Sequence, residues 1–575
     1  MSSSRPERSH LSRRRFLAAS VAGFAAASVW QFEAAALGRG PRVLSSPFRV
    51  PARGAQGGGT LTYGLGFDVD GTLDPGVTHF DSTIRVTLNI CEPLVWMPSA
   101  TEIVPGLAES WEISADGLEY VFTLKQGVTF HDGTPFNAEA VKFTFDRVVA
   151  ADKMAAAGAV GTPDPTQVIV AGQAHDQVGT YDRAEVVDEH TVKMILSRPF
   201  SPFLSGLNGY LGIVSPTAVE SMGLAEFARA PVGTGPFAFG EWVEADHITV
   251  RRNPDYAWGS SFFTNPGAPL LDEIVYQIIP DAAVRTGTLL SGETQYIDEI
   301  DQLQRPDLDA DPEIVVIEQP QPGSGFVLLP NISRPERPVA DVKVRQALQY
   351  AVDKEAFNQA AFGGGALPAA SPLMRPTFGY DPATEEMYRF DPTQAGALLD
   401  EAGWVLNGEV REKDGQPLEL YMPIIDRPRD NAMATFLQGS FRELGIDMTV
   451  EPMERGAYGQ TWREENNYDF SFMWFSYADP DVLRTIFHSA NIGAFNRAQY
   501  NNPEVDKMLE DAAASSDPAV RSDLYAQIQR QVLEDAVVIP LVDTVVANAK
   551  RATLAGDSLD YLASYVWMND AALTE

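Results

Sequence analysis

Residues 106–148 read GLAESWEISADGLEYVFTLKQGVTFHDGTPFNAEAVKFTFDRV. Tyr120 to Lys125 alternate apolar and polar side chains and run into a glycine turn, the pattern of a strand with one buried face. After the loop, Asn137 is placed to cap a helix in which Val141, Phe145, Val148 and Val149 fall at i, i+4, i+7 and i+8, on one side of a 3.6-residue repeat. A strand followed closely by an amphipathic helix predicts mixed α/β architecture, with sheets packed against helices.

The same alternation continues outward from that stretch. His247–Arg251, Glu273–Ile279 and Ile314–Ile317 read as strands. Asp341 heads a helical segment carrying Val344, Leu348, Ala351 and Val352, which Gly363-Gly364-Gly365 is expected to stop. Asp391-Pro392 and Asn502-Pro503 each offer a cap followed by a first-turn proline, and Gly403 sits where the first of those helices should end. Proline and glycine cluster at 319–325, and the β-branched run 537–546 is broken at Pro540. A chain that leaves one lobe near 320 and returns near 540 has two connections between lobes, the geometry of a hinge.

With 575 residues the chain exceeds one ordinary core and suits two or three lobes. Its formal net charge of −35 excludes a nucleic-acid partner, since neutralising phosphates requires clustered Lys and Arg. Acid is spread along the chain and reads as a solvated surface. The single cysteine, Cys91, excludes an intrachain disulfide framework and a paired-cysteine metal or redox site.

The N-terminus differs. Ser12-Arg13-Arg14-Arg15-Phe16-Leu17 precedes an alanine-rich apolar stretch from Ala18 to Val29, with Ala34-Ala35-Ala36 suited to cleavage. The expectation is a signal peptide over 1–36, of the twin-arginine type that exports folded proteins, then a flexible leader over 37–59. The apolar run is too weak for a membrane span. No cysteine follows it, so the mature protein is expected free in the periplasm and not lipidated. Loss of residues 1–59 removes nine basic and two acidic side chains and takes the body to −42.

Seven stretches resemble one family in order and spacing: GGTLTYGLGFDVDGTLDP (57–74), the 106–148 segment, VGTGPFAFGEWVEADHITVRRNPDY, PLLDEIVYQIIPDAAVRTGTLLSGE, DVKVRQALQYAVDKEAF, DPTQAGALLDEAGW and IPLVDT. Together they are similar to the extracellular solute-binding proteins of the peptide/nickel type that serve ABC importers. The resemblance implies a two-lobed periplasmic-binding-protein fold of the large, cluster-C type with an additional subdomain in lobe I. Lobe I is expected over 60–319 and again over 541–575, and lobe II over 320–540. It also implies a monomeric receptor that closes on a small-molecule or peptide-like solute and passes it to permease subunits, with no catalytic residue and no cofactor.

Site candidates follow from the same resemblance. In the family's dipeptide receptors an aspartate four residues before a proline pairs with the ligand's α-amino group; here that place is Ser476, within WFSYADPD (474–481). A hydroxyl cannot offset the desolvation of a buried ammonium, so a free peptide N-terminus is disfavoured unless Asp479 or Asp481 substitutes. Asp479-Pro480 also reads as turn and helix-start chemistry. Strand alternation puts Trp474 and Ser476 on one face and Phe475 and Tyr477 on the other, so either pair could line a cleft. An Arg-Pro pair that holds the ligand carboxylate in dipeptide receptors corresponds to Arg427-Pro428, with Arg429 beside it; guanidinium forks suit carboxylates. Asp426 and Asp430 could instead neutralise those arginines on the surface. From lobe I, Phe67, Asp68 and Asp81 resemble cleft-facing loop positions, and solvated loop acids is the other description.

The seven histidines, His10, His79, His131, His175, His190, His247 and His488, form no metal-binding spacing. His131 is expected to be structural, and His488 is the one near the candidate segment. Gly233 to Ala238 formally fits GxGxxA, but Pro236 lies inside it and a strand-like segment follows, against a dinucleotide site. A GxSxG nucleophile motif is absent. A ligand-loaded sensor for a chemoreceptor or kinase fits the same fold, and an exported hydrolase remains as a third class.

Overall fold

The structure is a computed structural model that describes residues 58–69, 71–77, 81–156, 178–208, 211–463 and 465–574. The expected signal peptide, and the leader apart from Gly58 and Gly59, lie outside the described residues.

The strand Glu119–Leu124 is the second in a four-stranded antiparallel sheet, between Ala108–Ile113 and Thr191–Leu196, with Tyr181–Asp188 at the far edge. Tyr120, Phe122 and Leu124 point into a core closed by Val141, Phe145 and Val148 of the helix Ala138–Ala156. Each large side chain buried there contributes roughly 1.5–3 kcal/mol. The Asn137 side chain accepts from the amide of Ala140 at 3.1 Å, capping that helix as its sequence predicts.

His131 ties this subdomain to a second sheet. Its amide donates to the Gly233 carbonyl at 2.9 Å, and its ring Nε2 lies 2.9 Å from the Gly235 carbonyl. The glycines of the GxGxxA look-alike are there for close approach. A Cβ at Gly233 would sit 2.1 Å from the Ile90 carbonyl, and one at Gly235 2.4 Å from that of Asn89. The strand Phe237–Val243 follows, not a helix.

The second sheet has seven strands in the order 314–320, 545–551, 296–297, 60–65, 273–278, 247–252 and 237–243. Thr60–Leu65 runs parallel to both neighbours; the other pairings are antiparallel. The chain leaves this sheet after Pro320 and enters another at Gly323. That third sheet is antiparallel, in the order 367–368, 539–543, 323–330 and 470–476. The return falls at Thr544, between Asp543 and Val545. Pro540 does not break the run: it pairs with Val327 inside the sheet, beside a register shift that accommodates its missing N–H. The two crossings touch, the Gln321 amide donating to the Thr544 carbonyl at 3.0 Å.

Helices pack on both faces of the 323–330 sheet. One face meets Val342–Tyr350, Pro392–Glu401 and Pro428–Glu443; the other meets Val482–Phe487, Pro503–Ala514 and Pro518–Glu534. The caps at Asp391 and Asn502 accept from amides of the following turn. The segment after Asp341 differs from its reading as one helix. Asp353 caps a new helix, Lys354–Phe362, so Ala351 and Val352 lie in the break. Asp353 won because its carboxylate satisfies the Ala356 amide at 3.0 Å.

Away from the crossings the halves meet again. The Ser201 amide donates to the Ala513 carbonyl at 2.7 Å, and Ala513 packs into the core of the 119–124 subdomain.

Candidate functional site

Ligands of open α/β sheets gather at the carboxyl ends of parallel strands. In the seven-stranded sheet that edge carries Phe67 and Asp68 after Thr60–Leu65, and Asp298 and Glu299 after Tyr296–Ile297. Asp298 is fully buried; it forms an ion pair with Arg85 and accepts from the Gly66 amide at 2.7 Å, while Arg285 Nε lies 3.4 Å away. Glu299 takes a left-handed backbone, φ 46°, held by Arg285 Nη2 on its carbonyl at 2.8 Å and by Asn548 Oδ1 on its amide at 3.1 Å. Asp81 opens the helix that bears Arg85, and burial pushes its carboxyl up against the opposing pull of Arg85. The half-buried Asp68 carboxylate accepts the amides of Val69 and Ala245, each at 2.8 Å, and braces the loop. Phe67 is 53% exposed.

In the other half, Glu419–Ile425 and Asp447–Met453 form a parallel pair, and their carboxyl ends open onto a concavity of about 420 Å³ lined by Ile425, Asp426, Arg427, Met453, Glu454 and Arg455. Arg427 is the N-cap residue of the helix Pro428–Glu443, and among the described residues its guanidinium makes no hydrogen bond or ion pair. Neither neighbouring acid forms an ion pair with it. Asp426 accepts from Asn431 Nδ2 at 2.8 Å, and the Asp430 carboxyl is pushed up by burial, with Arg427 and then Arg429 opposing.

Arg429 lies over the Phe326 ring, 4.7 Å from its centroid, and Phe326 stacks on Trp474 at 5.9 Å with the rings 13° from parallel. Desolvation lowers the pKa of Arg429, with Asp430 opposing, although the residue is exposed by area. Trp474 Nε1 donates to Thr544 Oγ1 at 3.1 Å, anchoring the stack to the second crossing.

The alternation along Phe470–Ser476 holds. Phe472 and Trp474 face the 342–443 helices, while Met473, Phe475 and Tyr477 face the 482–534 helices. Ser476 stands opposite Gly323 at the first crossing, and its buried hydroxyl has no partner among the described residues. Glycine is required opposite it: with φ 115°, a Cβ at 323 would lie 2.3 Å from the Phe475 carbonyl. The Tyr477 amide donates to the Pro322 carbonyl at 3.2 Å.

Asp479 and Asp481 leave the list of acids able to meet an ammonium. Asp479 pairs with Arg521 at 2.6 Å, lies 3.3 Å from the Ser205 hydroxyl and accepts the Asp481 amide at 2.9 Å, which is turn chemistry. Asp481 is paired with Arg484 at 2.6 Å and is 1% exposed. His488 Nδ1 accepts the Ala490 amide at 3.1 Å, so its Nε2 carries the proton facing Glu510, and the ring caps a turn. No cluster of three His, Cys, Asp or Glu suited to a metal occurs among the described residues.

Sequence reasoning missed Arg85, Asp298, Glu299, Phe326 and Arg455. None lies in a conspicuous motif; parallel pairing and strand exchange bring them to the edges.

Comparison with known proteins agrees with this geometry. Residues 102–494 match the family described as bacterial extracellular solute-binding proteins, family 5 Middle. The glutathione-binding protein GsiB of Pectobacterium atrosepticum is 30% identical over 519 residues, 88% of this chain and 92% of that one. Among solved structures, NikA of Brucella suis in complex with Fe(III)-EDTA aligns with a TM-score of 0.76 at 26% identity, over 90% of this chain and 100% of that one. The periplasmic binding protein DppA of Helicobacter pylori, in complex with the peptide STSA, aligns at 0.71 and 26%, over 90% and 99%. These neighbours are two-lobed periplasmic binding proteins. The chain belongs to the bacterial extracellular solute-binding proteins of family 5.

Proposed function

We propose that this chain is the periplasmic receptor of an ABC importer and that it takes an anionic or neutral solute of peptide-like, opine-like or glycoside character. In this reading lobe I spans about 60–320 with 545–575, lobe II spans about 323–543, and rotation at 321–322 and 544 closes the cleft. Arg427 carries the assignment: a guanidinium with no hydrogen bond or ion pair among the described residues, at a concavity formed by the ends of two parallel strands. It would hold a carboxylate bidentately, with Arg429, Trp474, Ser476 and Tyr477 as further wall and Phe67, Asp68 and Asp81 as the lobe I margin. Ser476 supports the exclusion of free-amine peptides, because neither Asp479 nor Asp481 is available to replace an acid there.

The receptor performs no chemistry of its own in this reading. It is exported by the twin-arginine-type signal, is not lipidated and works as a monomer. Mass spectrometry of solute released from denatured, unpurged protein tests the substrate class. A carboxylated or neutral compound is expected; a cationic free-amine peptide would overturn the reading of Ser476.

A further inference from the structure

Where the 119–124 subdomain meets lobe II, a cavity of about 140 Å³ opens between them, lined by Gly179, Thr180 and Arg198 on one side and by Arg484, Thr485, Asn491 and Phe495 on the other. None of these residues belongs to the solute cleft described above. Both walls are fixed. Thr180 Oγ1 donates to the Arg198 carbonyl at 2.8 Å, and Asn491 Nδ2 donates to the carbonyls of Arg484 and Thr485 at 2.9 and 3.2 Å. The Ser201–Ala513 hydrogen bond and the Ser205–Asp479 contact hold the walls against each other.

The charges in the cavity are unbalanced. Arg484 sits over the Phe200 ring at 5.4 Å and gives its Nε and Nη2 to Asp481, leaving Nη1 unspent. Among the described residues Arg198 has no side-chain partner and no acidic side chain lines the cavity. Two arginines, one from each side and only Arg484 of them ion-paired, thus line one small space in a protein whose formal charge is −35. Elsewhere on such a surface anions are repelled, so a positive recess marks a selective position. We propose that this cavity binds a small oxyanion of the phosphate or sulfate type, held between Arg198 and Arg484 with Thr485 donating, as a second site that bridges the lobes. A water occupies about 30 Å³, so the space holds an ion several waters in size, and planar guanidinium forks match its oxygens.

The test is thermal unfolding of the full-length protein in increasing sodium phosphate, with sodium chloride holding ionic strength constant. The wild type is expected to show a saturable rise in Tm, by linkage. Arg198→Ala should require roughly tenfold more phosphate or lose the rise, and Thr485→Val should weaken it. Arg198 is exposed, so equal midpoints of wild type and Arg198→Ala in chloride alone would establish an intact fold; Arg198→Lys, which keeps the charge, should respond at intermediate phosphate. Arg427→Ala should respond as the wild type does. A non-saturating rise shared by all variants, a rise undiminished in Arg198→Ala, or one lost only in Arg427→Ala would overturn the proposal, the last by moving the ion to the solute cleft.

Discussion

The indole Nε1 of Trp474 donates to the hydroxyl of Thr544 at 3.1 Å, so the Phe326–Trp474 stack is bonded to the residue at which the chain passes from one sheet back to the other. Thr544→Val keeps the shape and removes the acceptor. It should cost about 1–3 kcal/mol as an unpaired indole N–H and shift tryptophan fluorescence, both read in denaturant melts. An unchanged midpoint would show the bond to be dispensable.

Arg427→Ala should leave stability within about 0.5 kcal/mol, as surface substitutions do. Affinity for the released solute should fall on the order of 10–100-fold, the loss of a charge-assisted pair worth about 1.5–3 kcal/mol. Calorimetry decides, and equal affinity would remove Arg427 from the site.

Ser476→Asp should move the specificity. Supplying a carboxylate at the end of Phe470–Ser476 is expected to improve binding of free-amine dipeptides relative to their N-acetylated forms by tenfold or so, a difference of about 1.4 kcal/mol. No gain in that ratio would mean that the hydroxyl is turned from the ligand.

Asp479→Ala should destabilise by about 3–5 kcal/mol, because Arg521 would be left charged and buried without its partner. The loss should appear in global unfolding, with solute affinity per folded molecule little changed.

Glu92 supplies a pH test. It is buried and accepts from Tyr256 Oη, Trp258 Nε1 and Thr234 Oγ1 at 2.6, 3.0 and 3.1 Å, yet burial raises its carboxyl from the ordinary 4.5 to about 7. The folded state therefore keeps a proton that the unfolded chain has lost. Its contribution is most favourable below pH 4.5 and declines as pH rises to about 7, on the order of 3 kcal/mol across the window. Glu92→Gln should flatten that decline in melts taken between those limits; an unaltered slope would mean that Glu92 ionises normally.

Much of this architecture was legible because it is written in local chemistry. The caps at Asn137, Asp391 and Asn502 and the alternation through Tyr120–Leu124 each depend on a few neighbouring residues. Pro540 misled because its lack of a donor suggests a break, whereas the ladder tolerates it beside an irregular register. Of the candidate site, Arg427 and WFSYADPD were proposed through the family's motifs, but the fate of Asp479 was not legible. Its partner Arg521 is forty-two positions away, and a pairing at that separation leaves no periodic trace. The same holds for Arg85 with Asp298, which brace a loop that neither adjoins in sequence.

The strands Ile314–Pro320 and Val545–Arg551 pair along their whole lengths, and their crossings at Gln321 and Thr544 are themselves bonded. In the proposed closure such a connection would act as a piano hinge more than a ball joint: two plies sharing one crease, folding across it and resisting shear or twist. The proposed closure would then have a single coordinate, which one pair of spectroscopic labels, one on each proposed lobe, would follow.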